Sequence, residues 1–381
     1  VMEHTESRAN TGQQKSSQDR LEICILSHSI SSNAVGRAIA MNLVAQEVAE
    51  STVWAVDDGP PWPGITQFGV TVEKLEKNKL PTWKLPGLEV SRVLWISKGI
   101  SPLDKIVQAI RHRDKSVILV LDLDDDDAAL AADFRSSSFV DWLKLNPARR
   151  MHPRRIRTAQ RKTAAAADLF TFSSNALATQ FPATWIPAVR ITHARPVVEP
   201  ASHLPSPKKI RIGTFGTIRG HKGARRLSEL MEFSDAIELH TFKNSGVVLS
   251  AEARERHVQH EPSEPLAEVY GAVDVAYIPM SAHSGADVQL PAKLIDAMAL
   301  GVPIVTSPTS AIVEIAADSV YYASLATSID ETLSILKKAA IDRAPKVQTR
   351  FLQVASTSVL ANDLGLALQE IQSRTKAATD G

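Results

Sequence analysis

Leu290-Pro-Ala-Lys-Leu-Ile-Asp-Ala-Met-Ala-Leu-Gly-Val-Pro-Ile-Val-Thr-Ser307 reads as a helix, a glycine stop and a strand. Leu290, Leu294, Ile295 and Met298 recur at helical spacing, Gly301 ends the helix, and residues 302–305 re-enter a sheet. Pro291 suits the first turn, where a missing N–H costs nothing. A helix start carries free backbone donors and a partial positive charge, which suits a phosphate. Lys293 and Asp296 lie three apart and share a face. A cation near phosphates and a carboxylate near ribose hydroxyls together fit a nucleoside diphosphate.

Working outward, Gly213-Thr-Phe-Gly-Thr-Ile-Arg-Gly-His-Lys-Gly223 joins a strand to a helix through a glycine-rich loop. Gly216 lets backbone approach an anion, and Arg219 and Lys222 supply positive charge. Short apolar runs alternate with amphipathic stretches along the whole chain, the pattern of βαβ units. Strands are expected over 21–27, 52–56, 93–97, 117–121, 169–173 and 184–187, with a helix from Gly36 to about Glu50. Pro196, Pro200, Pro205 and Pro207 mark a boundary. A second set follows, with strands over 209–215, 237–242, 257–260, 275–279, 303–307 and 320–323. The expected architecture is α/β, with two Rossmann-like domains facing a cleft. Its parts are a disordered tail over 1–20, a first domain over 21–200, a second over 201–345 and a terminal helix within 346–381. Doubly wound sheets bind ligands at the carboxyl ends of their strands, so the cleft is the expected site.

The bulk numbers agree with a globular chain. Among 381 residues, 44% are hydrophobic and the formal net charge is +1, so no charge imbalance argues for nucleic acid. Cys24 is the single cysteine, which excludes an intrachain disulfide. No apolar run reaches the roughly 18–20 residues that cross a bilayer. The first stretch lacks the apolar core of a signal peptide, so a cytoplasmic location is expected, with peripheral membrane contact left open.

The segment 290–307 resembles the donor-binding helix of GT-B glycosyltransferases, especially glycosyltransferase family 4. That family commonly shows Pro-x-Lys-Leu-x-Glu-x-Met-Ala-x-Gly-x-Pro-Val-Val here. The resemblance places Asp296 where a Glu usually bonds the ribose. It makes Lys222 a diphosphate ligand by its spacing from Gly216, whereas Thr217 stands where an Arg is usual. Val288 replaces a Glu found near the donor sugar, with Asp287 and Gln289 flanking it. The donor site implied is Gly216, Thr217, Arg219, Lys222, Asp287, Gln289, Leu290, Lys293, Leu294 and Asp296. Gly36 falls where the family has a glycine near the phosphates and the acceptor. The function implied is transfer of a sugar from a nucleotide-diphosphate sugar to an acceptor hydroxyl, with retention. The acceptor class stays open among glycans, lipid-linked, protein and small-molecule acceptors, and no cofactor is required. The resemblance also implies a C-terminal helix that crosses back to the first domain, over 349–376.

Asp122-Leu-Asp-Asp-Asp-Asp127 ends a strand at the cleft. Alternation along a strand puts Asp122 and Asp124 on one side. One of them is expected to orient an acceptor hydroxyl and accept its proton, while the run caps a helix and holds no catalytic metal. Residues 149–162 carry seven Arg or Lys. Their expected role is a solvated or cleft-facing helix surface, with an anionic lipid headgroup or a lipid-phosphate acceptor as the lesser reading, and no aromatics interleave as a nucleic-acid site needs. Two rivals remain: a nucleotide-sugar epimerase on the same fold, and a non-catalytic subunit that activates a partner transferase.

Overall fold

The computed structural model describes residues 21–80, 82–86, 91–137, 152–201, 209–218, 222–342 and 346–380. The expected tail, Arg219 and part of the proline-rich boundary, Pro205 and Pro207 included, lie outside these residues.

The first domain is a parallel sheet of β1 (Leu21–Ser27), β2 (Glu50–Asp57), β3 (Val72–Glu76), β4 (Ser91–Ser97), β5 (Ile118–Leu123), β6 (Leu169–Phe172) and β7 (Ala188–Arg190). Their order is β3-β2-β1-β4-β5-β6-β7. The connections carry α1 (Ala34–Ala45), α2 (Leu103–Arg113), α3 (Asp127–Ser137), α4 (Pro153–Ala164) and α5 (Asn175–Ala178). Helices cover both faces, which is why β5 is buried at every position rather than alternating. The strand expected over 184–187 lies later, at β7, because Pro187 has no N–H for a ladder.

The second domain has β8 (Ile210–Gly213), α6 (Ala224–Phe233), β9 (Ile237–Phe242), α7 (Ala251–Arg254), β10 (His257–His260), α8 (Leu266–Gly271) and β11 (Val275–Ile278). It continues with α9 (Ser284–Asp287), α10 (Ala292–Ala299), β12 (Ile304–Thr306), α11 (Ser310–Ala316), β13 (Tyr321–Tyr322) and α12 (Ile329–Ile341). The sheet order is β10-β9-β8-β11-β12-β13, again parallel. In each domain the order reverses beside the first strand, which is where such sheets open a ligand crevice.

The chain then crosses back. α13 (Lys346–Val354) buries Val347 and Phe351 in the second domain's core with Ile312 and Ile315. α14 (Thr357–Asp380) buries Leu360, Leu364, Leu368 and Ile371 against Ile23, Val93 and Trp95 of the first. Each such burial contributes roughly 1.5–3 kcal/mol, so the four together are comparable to the net stability of a domain. The single helix expected over 349–376 is broken between α13 and α14. Its backbone there serves the linker instead: Arg195 N donates to Ala355 O at 3.2 Å, and Thr357 N donates to Arg195 O at 3.2 Å.

Candidate functional site

The start of α10 forms one wall. Pro291 is extended and stands just before the first turn, not inside it, with its carbonyl accepting from Leu294 N at 2.9 Å. Leu290 and Leu294 turn into the core beneath the helix, so their side chains serve packing. Lys293 is 8% exposed, and its Nζ is buried with no hydrogen-bond partner among the described residues. Burial, reinforced by the neighbouring Lys222 charge, lowers its pKa to about 7. An ammonium buried without a partner is costly, and an anion is the group that would relieve it.

The glycine loop faces the same place. Gly216 has φ +98° with open space where a side chain would sit, and Thr217 is exposed. The loop is anchored behind by Thr214 Oγ1 donating to Tyr277 O at 2.6 Å and Ile218 N donating to Ser245 O at 2.6 Å. Lys222 is half-buried and precedes Gly223, whose φ is +71°. A Cβ on Gly223 would lie 2.5 Å from the Pro279 side chain. Gly223→Ala is therefore expected to cost about 1–3 kcal/mol and to shift Lys222. A thermal melt and a nucleotide titration check this; wild-type values in both would mean that the loop yields freely.

Asp296 lies on the same side of α10 as Lys293, but it is not free. Arg195 Nε bonds its Oδ1 at 2.5 Å, and the Arg195 guanidinium sits 4.5 Å from the Phe68 ring centroid of the first domain. Burial raises the Asp296 pKa, with Arg195 acting against it. Asp287 caps α11, accepting from Ser310 N at 3.1 Å and Ser310 Oγ at 2.5 Å. Gln289 Nε2 donates to Asp125 Oδ1 at 2.9 Å across the domain gap. Val288 joins Leu121, Leu123, Phe170 and Phe172 in a first-domain cluster. The position where a Glu was looked for is thus an apolar contact between domains.

The acidic run departs from expectation. Asp122 is fully buried, with both carboxylate oxygens engaged by Arg37, through Nε at 2.9 Å and Nη2 at 2.6 Å. Thr171 Oγ1 adds a bond at 2.7 Å, which leaves Asp122 away from the cleft surface. Burial still pushes its pKa upward, with Arg37 opposing. Arg37 also donates to Ile191 O at 2.7 Å and Thr192 O at 2.8 Å, fixing the chain as it leaves the first domain. The remaining carboxylates gather round a lysine. Lys98 Nζ lies 2.7 Å from Asp124, 3.1 Å from Asp125 and 3.0 Å from Asp127. Burial disfavours a charged Asp124, but Lys98 and Arg37 prevail and lower its pKa, which makes it a weak base. Burial raises that of Asp127 to about 7 against the pull of Lys98. Asp126 is the cap: its Oδ1 accepts from Ala129 N at 3.0 Å. Gly36 sits in the first turn of α1 under the Trp62 ring, 3.4 Å from where a Cβ would stand.

Three residues of the site were not singled out from sequence: Lys98, His193 and Arg195. His193 is buried, and its pKa is held well below the ordinary histidine range by burial, then by Arg37 and Arg195. It is therefore neutral at pH 7. Other ties between the domains are Gln67 Nε2 to Pro262 O at 2.8 Å, and Glu314, which accepts from Asn175 N and Ala176 N at 2.9 Å each. The described residues hold no helix long and apolar enough to cross a membrane.

No family model matches the chain, and no curated protein matches it in sequence. Solved structures do match it in shape. HepE of Anabaena in complex with UDP and glucose aligns at TM-score 0.60 and 13% identity, over 91% of this chain and 99% of that one. Sucrose-phosphate synthase from Thermosynechococcus elongatus aligns at TM-score 0.61 and 12% identity, over 93% and 100%. The lipopolysaccharide outer core galactosyltransferase WaaB, in its apo form, aligns at 0.55 and 11%, over 92% and 99%. With two parallel α/β sheets and a terminal helix that returns to the first, the chain has the GT-B fold.

Proposed function

We propose that the protein is a glycosyltransferase of the family 4 type, which holds a nucleotide-diphosphate sugar on its second domain and passes the sugar to an acceptor hydroxyl with retention. The observation that carries this reading is Lys293: a buried, unpaired cation at a helix start, beside Lys222 and the open Gly216 turn. The UDP and UDP-glucose complexes of HepE support a uridine diphosphate as the leaving group. Lys222, Lys293 and Arg219 take the diphosphate. As the bond from sugar to phosphate breaks, its electron pair goes to the phosphate oxygen, the acceptor oxygen bonds the sugar carbon on the same face, and the hydroxyl proton passes to that phosphate oxygen, while these cations and the helix dipole stabilise its charge. Asp296 takes the ribose while sharing its carboxylate with Arg195. Asp122 acts by holding the fold. His193, uncharged and set among Arg37, Arg195 and Asp125, becomes the candidate to position the acceptor hydroxyl in place of Asp122 or Asp124.

Mass spectrometry of products from a panel of nucleotide sugars and acceptors tests the proposal. A sugar on the acceptor supports it, whereas nucleotide release with no transfer points to an epimerase. Val288 favours one other reading, a non-catalytic subunit, because it places an apolar contact where donor sugars are usually bonded. Absence of nucleotide binding would establish that reading instead. At the ribose, Asp296→Ala is expected to weaken a nucleoside diphosphate about tenfold and leave inorganic pyrophosphate nearly unchanged. Calorimetry with both ligands distinguishes this from a folding effect, which would weaken them equally.

A further inference from the structure

We propose that the hollow between α3 and α4 binds a phosphate group carried by the acceptor, so that the substrate receiving the sugar is a phosphorylated molecule. The inference rests on the transferase reading above and adds the acceptor's chemistry. Arg154, Arg157 and Arg161 are spaced three and four apart on α4 and point along one face. They line a pocket of about 570 Å³ whose far wall is Ala128 and Ala129 in the first turn of α3. Small residues there leave the space to a ligand, which the arginines of α4 face.

The charges in the pocket are unevenly satisfied. Arg157 is fixed, with Nη2 at 2.5 Å from Asp126 Oδ2 and its guanidinium 5.0 Å from the Phe181 ring. Arg154 and Arg161 are exposed, and neither has a carboxylate partner among the described residues. Two planar, permanently charged forks beside a third match a phosphate better than they match a neutral sugar.

The pocket also adjoins the cleft. A Cβ on Gly285 of α9 would lie 3.2 Å from Ala129 Cβ and 3.0 Å from Leu130 N, so α3 has the pocket on one side and the donor domain on another. The acceptor's phosphate then sits between α3 and α4 while its reacting hydroxyl reaches toward the donor domain. A sugar phosphate and a phospholipid-linked sugar both offer this chemistry.

The test titrates wild-type protein, saturated with UDP, with glucose 6-phosphate and with phosphatidic acid vesicles. Glucose and phosphatidylcholine vesicles are the neutral comparisons. Binding of either phosphate form, at least about tenfold tighter than its neutral counterpart, is expected. The pair Arg154→Gln and Arg161→Gln should remove most of that preference while UDP affinity stays at the wild-type value. Preference for glucose 6-phosphate identifies a soluble acceptor, and preference for the vesicles a lipid-borne one. Equal binding of phosphate and neutral forms, or an undiminished preference in the double variant, overturns the proposal. Failure of wild-type protein to bind UDP is read separately, because it removes the transferase reading while the phosphate titration still reports on the pocket.

Discussion

Lys293→Met is expected to move stability and ligand binding in opposite directions. The ammonium of Lys293 is buried without a partner, so an apolar side chain of similar length should stabilise the unliganded protein by about 1–3 kcal/mol. The same change should weaken a nucleoside diphosphate about ten- to hundredfold, the value of a charge-assisted contact of roughly 1.5–3 kcal/mol. The pH dependence follows from the lowered pKa. Between about 7 and the ordinary lysine range, the unfolded chain holds a proton that the folded one has released. The unfolded state therefore binds more protons there, and the contribution of Lys293 to stability rises with pH across that window and is lost toward pH 7. Binding a diphosphate restores the charge, so wild-type protein should take up a proton on binding at pH 8. Calorimetry in two buffers of different ionisation enthalpy measures that uptake, and Lys293→Met should abolish it. A destabilised variant with unchanged nucleotide affinity would show that Lys293 is a packing residue.

Breaking the Arg37–Asp122 pair is expected to be the most damaging single change to stability in the first domain. Replacing one member of a buried ion pair leaves the other charged and unpaired, at a cost of about 3–5 kcal/mol. Arg37→Met should be worse than Asp122→Asn, because it also strips a donor from the carbonyls of Ile191 and Thr192. Against a net stability of about 5–15 kcal/mol, either change is a large fraction. Arg37→Met combined with Asp122→Leu should recover much of the loss, since no buried charge is then left alone. Urea titrations of the four proteins, alongside activity per folded molecule, read the result. An Asp122→Asn protein of full stability and no activity would return Asp122 to a chemical role.

The contrast between Lys293 and Asp122 shows what was legible in the sequence. The helix, stop and strand of 290–307 are written locally, in apolar spacing and in Gly301, so α10 and β12 fall close to where they were expected. The parallel sheets follow from repeated local alternation in the same way. Asp122 was placed at the end of β5 correctly, but its partner Arg37 is 85 positions away on α1, and no local pattern announces that meeting. Lys98 and His193 escaped for the same reason, because each is brought to the site by an adjoining strand end. Arg195 stood in a stretch read as a boundary. Its meaning arises only where that stretch meets the break between α13 and α14. That break was itself illegible, since apolar spacing continues through it while the backbone hydrogen bonds turn to the linker.

The return of α14 also has a consequence for synthesis. Ile23 and Val93 are made before the second domain, yet the side chains that cover them, Leu360 to Ile371, are translated after it. At about 5–20 residues per second, that face of the first sheet waits on the order of tens of seconds for its cover. The second domain, whose own core needs only α13 from the later chain, can be nearly complete while its neighbour is still open. The nascent chain thus exposes an apolar face of its first sheet while the whole second domain is made, and α14 closes it afterwards.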